Sequence, residues 1–158
     1  MQDTRKAYIA GFLDGDGSIM AQLVRRKDYK LGFQIRVSIV FYQKTNHQEF
    51  LLWLKEQLSN GYVRTRPDGM SEYTIVGLRE VRHVLSLLYP FLNLKKQLAK
   101  EVIDLIDKHP EPRKMTAKKL VRLSKLVDKT ASYNYSKKRT NRSAEVINFL
   151  TKHELLSP

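Results

Sequence analysis

Two aspartates separated by one glycine sit in the segment AYIAGFLDGDGSI, Ala7 to Ile19, and paired carboxylates are groups that hold divalent metals. Ile9, Phe12 and Leu13 recur at helical spacing, so Asp14 and Asp16 fall at or just past a helix C-terminus. The macrodipole is already negative there, and each carboxylate costs about 0.3–1 kcal/mol. A positive partner must offset that cost: a lysine, a calcium ion or a magnesium ion. Counting excludes a calcium loop of the EF-hand kind, because with Asp14 as first ligand the required glycine falls on Ile19 and the closing glutamate on Arg25. A plain Asp-Gly turn accounts for either aspartate singly. It does not account for both beside small residues at every fourth position. Those residues, Ala7, Gly11 and Gly15, share one helix face and let another backbone approach closely. If that backbone were the same helix of a second copy, two carboxylate pairs would meet near a two-fold axis, a geometry suited to cutting both strands of a duplex. Magnesium held by a carboxylate, carbonyls, waters and phosphate oxygens would then offset the dipole cost.

The elements that position this segment follow from periodicity. Thr4 is a candidate N-cap for a helix to about Asp14, which DGDGS terminates. A strand from Ser18 to Arg26 follows, with Ile19, Ala21 and Leu23 on one face. After the charged turn RKDYKLG comes a second strand, with Phe33, Ile35, Val37, Ile39 and Phe41 inward and Gln34, Arg36, Ser38, Val40 and Tyr42 outward. Thr45 and Gln48 suggest a capping box for a helix to about Ser59. GYVRTR and SEYTIV, joined by PDG, form a second hairpin, with Tyr62, Arg64 and Arg66 on one face. Helices follow over about Leu78 to Leu88, NLKKQLAKEVIDLIDKH, Thr116 to Ser132 and Ser143 to His153. The order αββαββα implies an α+β fold. It predicts one domain over residues 1–158, with a core of about 4–109 built on a four-stranded antiparallel, saddle-like sheet. Helices cover one face, and further C-terminal helices and a basic loop occupy about 115–155.

Lys and Arg total 29 against 16 Asp and Glu, a net charge of +13. Such a field attracts polyanions, of which nucleic acid is the commonest. There are no cysteines, which excludes disulfides and thiolate metal sites. No run is long and apolar enough for a membrane span, and the N-terminus lacks signal-peptide features, so the expectation is a soluble protein without a small-molecule substrate. The uncovered sheet face carries Gln22, Arg26, Gln34, Arg36, Arg64 and Arg66. Arg and Gln bond bidentately to guanine and adenine edges, and a two-stranded ribbon fits a major groove. A merely solvated sheet face has the same composition.

YIAGFLDGDGS resembles the LAGLIDADG signature of homing endonucleases. Its single copy, with QKT after the second strand, GYVR in the third and PFLNLKKQ beyond, is similar to the homodimeric branch encoded in organellar group I introns. The resemblance implies a double-strand DNA endonuclease that initiates intron homing. It implies Mg2+ as cofactor, Mn2+ as a substitute and Ca2+ as an ion that binds without supporting cleavage, with location in a chloroplast or mitochondrion. Residue by residue, it implies Asp16 and the Gly15 carbonyl as metal ligands, Gln43 as the holder of metal-bound water and Lys95 as the basic residue near the scissile phosphate. His47 stands where the family commonly has another basic residue. Ala7, Tyr8, Gly11, Phe12, Asp14 and Gly15 would form the dimer interface, with Asp14 serving helix packing or capping. Ser136, Lys137 and Arg139, within the basic stretch SKKRTNR, would contact the DNA backbone.

At about 3.3 Å per residue the first strand spans roughly 30 Å, close to one turn of B-DNA. Two copies would cover roughly 20 base pairs of a pseudo-palindrome. The base-reading set is Gln22, Val24, Arg26, Gln34, Arg36, Arg64, Arg66, Glu72 and Thr74, with Asp28 and Tyr29 at the distal turn. Val24 and Val40 can only touch thymine methyls. Two alternatives stay open: a non-cleaving RNA maturase or DNA-binding regulator on the same fold, and a basic RNA-binding protein whose acidic turn is structural.

Overall fold

The computed structural model describes residues 1–134 and 138–156, so Ser136 and Lys137 lie outside the described residues. Its elements are α1 (Asp3–Asp16), β1 (Gly17–Arg25), β2 (Phe33–Lys44), α2 (Gln48–Leu58), β3 (Tyr62–Thr65), β4 (Met70–Val76), α3 (Leu78–Leu88), α4 (Lys96–Lys108), α5 (Ala117–Ala131) and α6 (Ser143–Lys152). The strands form one antiparallel sheet in the order β1-β2-β4-β3. Both hairpins thus contribute an inner strand, β2 and β4, and an edge strand, β1 and β3.

The strand alternation dictates which face is buried. Ile19, Ile39, Phe41, Tyr73 and Ile75 are buried beneath the helices, where they join Ile9 and Leu13 of α1, Leu54 of α2, Leu85 of α3 and Val102 of α4 in one core. The saddle face is more polar at its ends than at its centre. Ser38 and Val40 lie in the middle of β2, flanked by Met20 and Ser18 of β1 and by Val76 and Thr74 of β4. Val40 is only 5% exposed and Thr74 4%. These two drop out of the base-reading set: neighbours on both sides close over them.

Helix boundaries also depart from the sequence reading. Thr4 lies inside α1; the N-cap is Gln2, whose carbonyl accepts from the Arg5 and Lys6 amides without a side-chain cap. Asp3 in the first turn complements the dipole in place of a capping hydroxyl. At the other end α1 continues through Gly15 to Asp16, so both aspartates belong to its last turn. The Gly17 amide donates to the Leu13 carbonyl, and a Cβ at Gly17 would lie 2.6 Å from Leu13 Cδ1 and 3.0 Å from its Cα. A side chain at Gly17 would crowd Leu13 where the chain passes from helix into β1.

The expected capping box at Thr45 and Gln48 is absent. The Thr45 hydroxyl pairs with Ser71 and Gln48 donates to Thr65, while residues Thr45–His47 form a 3-10 turn before α2. Cross-strand hydroxyls outcompete the local cap. Thr116 does cap α5, accepting from the Lys119 amide.

Candidate active site and nucleic-acid interface

The partner that offsets Asp14 is neither a metal nor a lysine alone. Its Oδ2 accepts from the backbone amides of Asn93 (2.8 Å) and Leu94 (3.2 Å), and its Oδ1 from that of Lys95 (2.9 Å). These amides belong to the turn that leads into α4 and to its N-cap residue Lys95, at the positive end of that helix dipole. Asp14 at the C-terminus of one helix thus caps the N-terminus of another. Its carboxylate faces its own chain at 9% exposure, in the capping role that the sequence reading gave it alongside a place at the interface.

This cap also places Lys95, which precedes α4 rather than lying within it. The Lys95 ammonium donates to the Asp14 carbonyl at the end of α1. Burial lowers its pKa below the ordinary lysine value, against the opposing pull of Asp14 and Asp16. Lys95 therefore feels both carboxylates. Asp16, one residue before β1, is exposed.

Gly17 pairs with Phe41, and Gln43 lies two residues beyond Phe41 on β2, at the end of the sheet that carries Asp16. Gln43 Oε1 accepts from the Lys44 amide at 2.9 Å. His47 is exposed at the end of the adjoining 3-10 turn.

The donor set fits a hard divalent cation. Asp16 supplies an exposed carboxylate, and the Gly15 carbonyl is among the last of a helix, which have no intrahelical partner. A Cβ built on Gly15 meets nothing within 4 Å, so this helix end is open. Among the described residues no three His, Cys, Asp or Glu converge on a metal geometry. A hard cation held by Asp16 and the Gly15 carbonyl would need further oxygens to fill its coordination shell.

The stripe Ala7, Gly11, Gly15 is exposed along α1, and Gly11 is as open as Gly15. Tyr8, 58% exposed, borders it with its ring edge-on to Trp53 and Phe50. Phe12 does not share the open face. Its ring stacks on Phe41 and meets Phe50 edge-on at 4.8 Å, so the apolar core claims it. Leu94, next to Lys95, is 79% exposed and is an apolar residue that sequence reasoning omitted.

On the saddle, register brings Gln22 opposite Arg36 and Val24 opposite Gln34, while Tyr42, Glu72 and Arg64 form one row. Tyr42 and Tyr62 share this face though neither was singled out as a contact. Arg26 is held bidentately by Asp28, both bonds 3.0 Å, and donates to Gln34 at 3.0 Å. The Asp28 bonds raise the Arg26 pKa and lower that of Asp28. The Arg26 guanidinium also lies 4.9 Å from the Tyr29 ring centroid. Glu72 takes Arg64 at 2.6 Å and Arg66 at 3.9 Å, and Asp68 takes Arg66 at 2.6 Å. The forks are thus held in place while keeping further N–H donors.

A pocket of about 780 Å³ near the β1–β2 turn is lined by Phe33, Ile35, Leu78, Met115 and Leu120 among others. It has no acidic lining residue and lies apart from Asp16.

Arg139 is turned inward, its Nη1 2.9 Å from Asp128 Oδ1. The expectation that it contacts the DNA backbone is corrected: an internal ion pair holds its guanidinium.

A four-stranded saddle with a cationic exposed face and an acidic helix end at its margin defines a class of nucleic-acid-binding fold. Residues 9–109 match the family model for LAGLIDADG endonuclease, and the chain belongs to that family. It is 41% identical over 134 residues to the DNA endonuclease I-CvuI of Chlorella vulgaris, covering 85% of this chain and 82% of that protein. It is 35% identical over 139 residues to the DNA endonuclease I-CreI of Chlamydomonas reinhardtii, covering 88% and 84%. The crystal structure of I-CvuI with its target in 2 mM Ca superposes with a TM-score of 0.92 at 38% identity, covering 98% of this chain and 97% of that one. I-CvuI has the same TM-score, identity and coverage when bound to the I-CreI target in 2 mM Mg, where the DNA is not cleaved.

Proposed function

We propose that this chain is a site-specific double-strand DNA endonuclease that binds a long pseudo-palindromic duplex as a homodimer and hydrolyses one phosphodiester in each strand, initiating intron homing. The observation that carries this reading is the division of labour at the end of α1. Asp14 is consumed in capping α4, whereas Asp16, in the same helical turn, is left exposed beside an open stripe of small residues. A carboxylate so placed, with no structural duty, suits a metal shared with a phosphate and a second copy of the helix. The family, and the DNA bound by its relative I-CvuI, support it.

Asp16 and the Gly15 carbonyl would hold Mg2+, which when bound activates water and neutralises phosphoryl charge. Mn2+ substitutes, and Ca2+ binds without supporting cleavage. Lys95, its ammonium held by the Asp14 carbonyl at the end of α1, stabilises negative charge on the phosphoryl oxygens as the P–O bond breaks. Gln43 orients the attacking water, and His47 reaches the flanking phosphate. Ala7, Tyr8, Gly11 and Gly15 pack against the second copy, with Leu94 beside them. Gln22, Val24, Arg26, Gln34, Arg36, Arg64, Arg66 and Glu72 read base edges, with Asp28 and Tyr29 bracing the distal turn. Placement in a chloroplast or mitochondrion rests on the family resemblance.

Incubating the protein with a randomised duplex library in magnesium tests the reading. Discrete cuts within one pseudo-palindrome are expected. Selective binding without cutting in magnesium or manganese would instead indicate a maturase or regulator.

A further inference from the structure

The C-terminal basic loop is fastened to the sheet and to α5 by one ion pair and by several bonds that do not involve its cations. Asp128, in the last turn of α5, accepts from the Ser143 amide at 3.2 and 3.3 Å, from the Ser143 hydroxyl, and from Arg139 at 2.9 Å. Ser143 is the first residue of α6, so Asp128 caps that helix as Asp14 caps α4. Two asparagines fasten the loop ends to β1. Asn134 donates to the Ile19 carbonyl at 3.4 Å and Asn141 to the Leu23 carbonyl at 3.0 Å. β1 is an edge strand. These two carbonyls, four residues apart, belong to its unpaired side.

Asn134 and Asn141, on the two sides of the basic stretch, therefore lie at the margin of the saddle whose face carries Gln22 and Val24. When a ribbon lies in the major groove, its margins face the phosphates of the groove walls. With Arg139 held by Asp128, the described cations left exposed on the loop are Lys138 and Arg142.

We propose that Asp128, Arg139 and Asn141 are positioning residues that lock the loop to β1, and that Lys138 and Arg142 are the DNA-phosphate contacts they present. This rests on the DNA-binding reading above. It has a counter-intuitive consequence: removing an acidic residue from a protein that binds a polyanion should weaken binding.

The test measures affinity as a function of salt for two duplexes of equal length, one selected from a randomised library by the wild-type protein and one of mixed sequence. Lys138→Gln and Arg142→Gln should each reduce the steepness of log K against log salt by about 1, equally on both duplexes. Asp128→Asn should weaken binding to both and reduce the steepness by about 2, as both contacts are lost. Combining Asp128→Asn with Arg139→Gln should be no worse than Asp128→Asn alone, because Arg139 acts through Asp128. Hydrogen exchange at the Ser143 amide should accelerate in Asp128→Asn while the amides of β2 stay protected, separating loss of the latch from loss of fold.

Unchanged or tighter binding by Asp128→Asn, or additive losses in the double variant, overturns the latch. Failure of the wild-type protein to bind either duplex overturns the DNA-binding reading, and the clamp with it.

Discussion

At the residue scale, two aspartates of similar appearance do different work. Asp14 takes three backbone amides, and hydrogen bonds to a charged acceptor each contribute about 1.5–3 kcal/mol. Asparagine there would keep one oxygen but turn an NH2 group toward amide donors. Asp14→Asn should therefore lower unfolding stability by about 2 kcal/mol, read as a shift in the urea midpoint; an unchanged midpoint would refute the capping role. The same distinction marks how far the sequence was legible. A carboxylate at a helix end announces that something positive must meet it, but the amides of Asn93 to Lys95 lie some eighty residues away in the chain, and only tertiary packing brings them there. Arg139 was misread for a similar reason: a cation in a basic run looks solvent-directed until Asp128 is folded against it.

At the scale of elements, alternation and helical spacing carried most of the architecture, because one face of each strand and one stripe of each helix must be apolar whatever the details. What they did not carry was competition between local and distant hydrogen bonds. Thr45 and Gln48 have the spacing of a capping box, yet Ser71 and Thr65 are better partners once β3 and β4 are in place. Nor does alternation distinguish an outward residue on an edge strand from one in the middle of a sheet, which is why Val40 and Thr74 were expected to be accessible. The small-residue stripe of α1 has its own test. Glycine costs a helix interior about 1 kcal/mol relative to better formers, and a Cβ at Gly11 meets nothing in the protomer. Gly11→Leu should leave the fold intact or firmer while abolishing dimerisation in sedimentation. A stable dimer of this variant would show that the stripe is not the interface.

Across the whole molecule, the excess of positive charge must be borne by a fold that binds through the same cations. Much of the answer is internal pairing: Arg26, Arg64 and Arg66 on the saddle, and Arg82 and Lys129 on the helices, each have a carboxylate beside them. Hydrogen bonds from Lys129 and Arg82 lower the pKa values of Glu101 and Asp107 beneath their ordinary 4.5 and 3.8. The unfolded chain therefore binds more protons in acid. Stability from these pairs is intact above about pH 4.5 and declines as pH falls through the folded-state values, modestly because the pairs are surface ones. Urea midpoints at about pH 7 and about pH 3 check this; an equal or higher midpoint in acid would contradict it. The central claim is that the exposed carboxylate of Asp16, spared from structural work by Asp14, is the group on which cleavage depends. The most direct measurement compares wild-type and Asp16→Asn proteins on a duplex selected by the wild type, scoring strand scission in magnesium and binding in calcium. Loss of scission with binding retained is the predicted result. Scission by Asp16→Asn at the wild-type rate would contradict it.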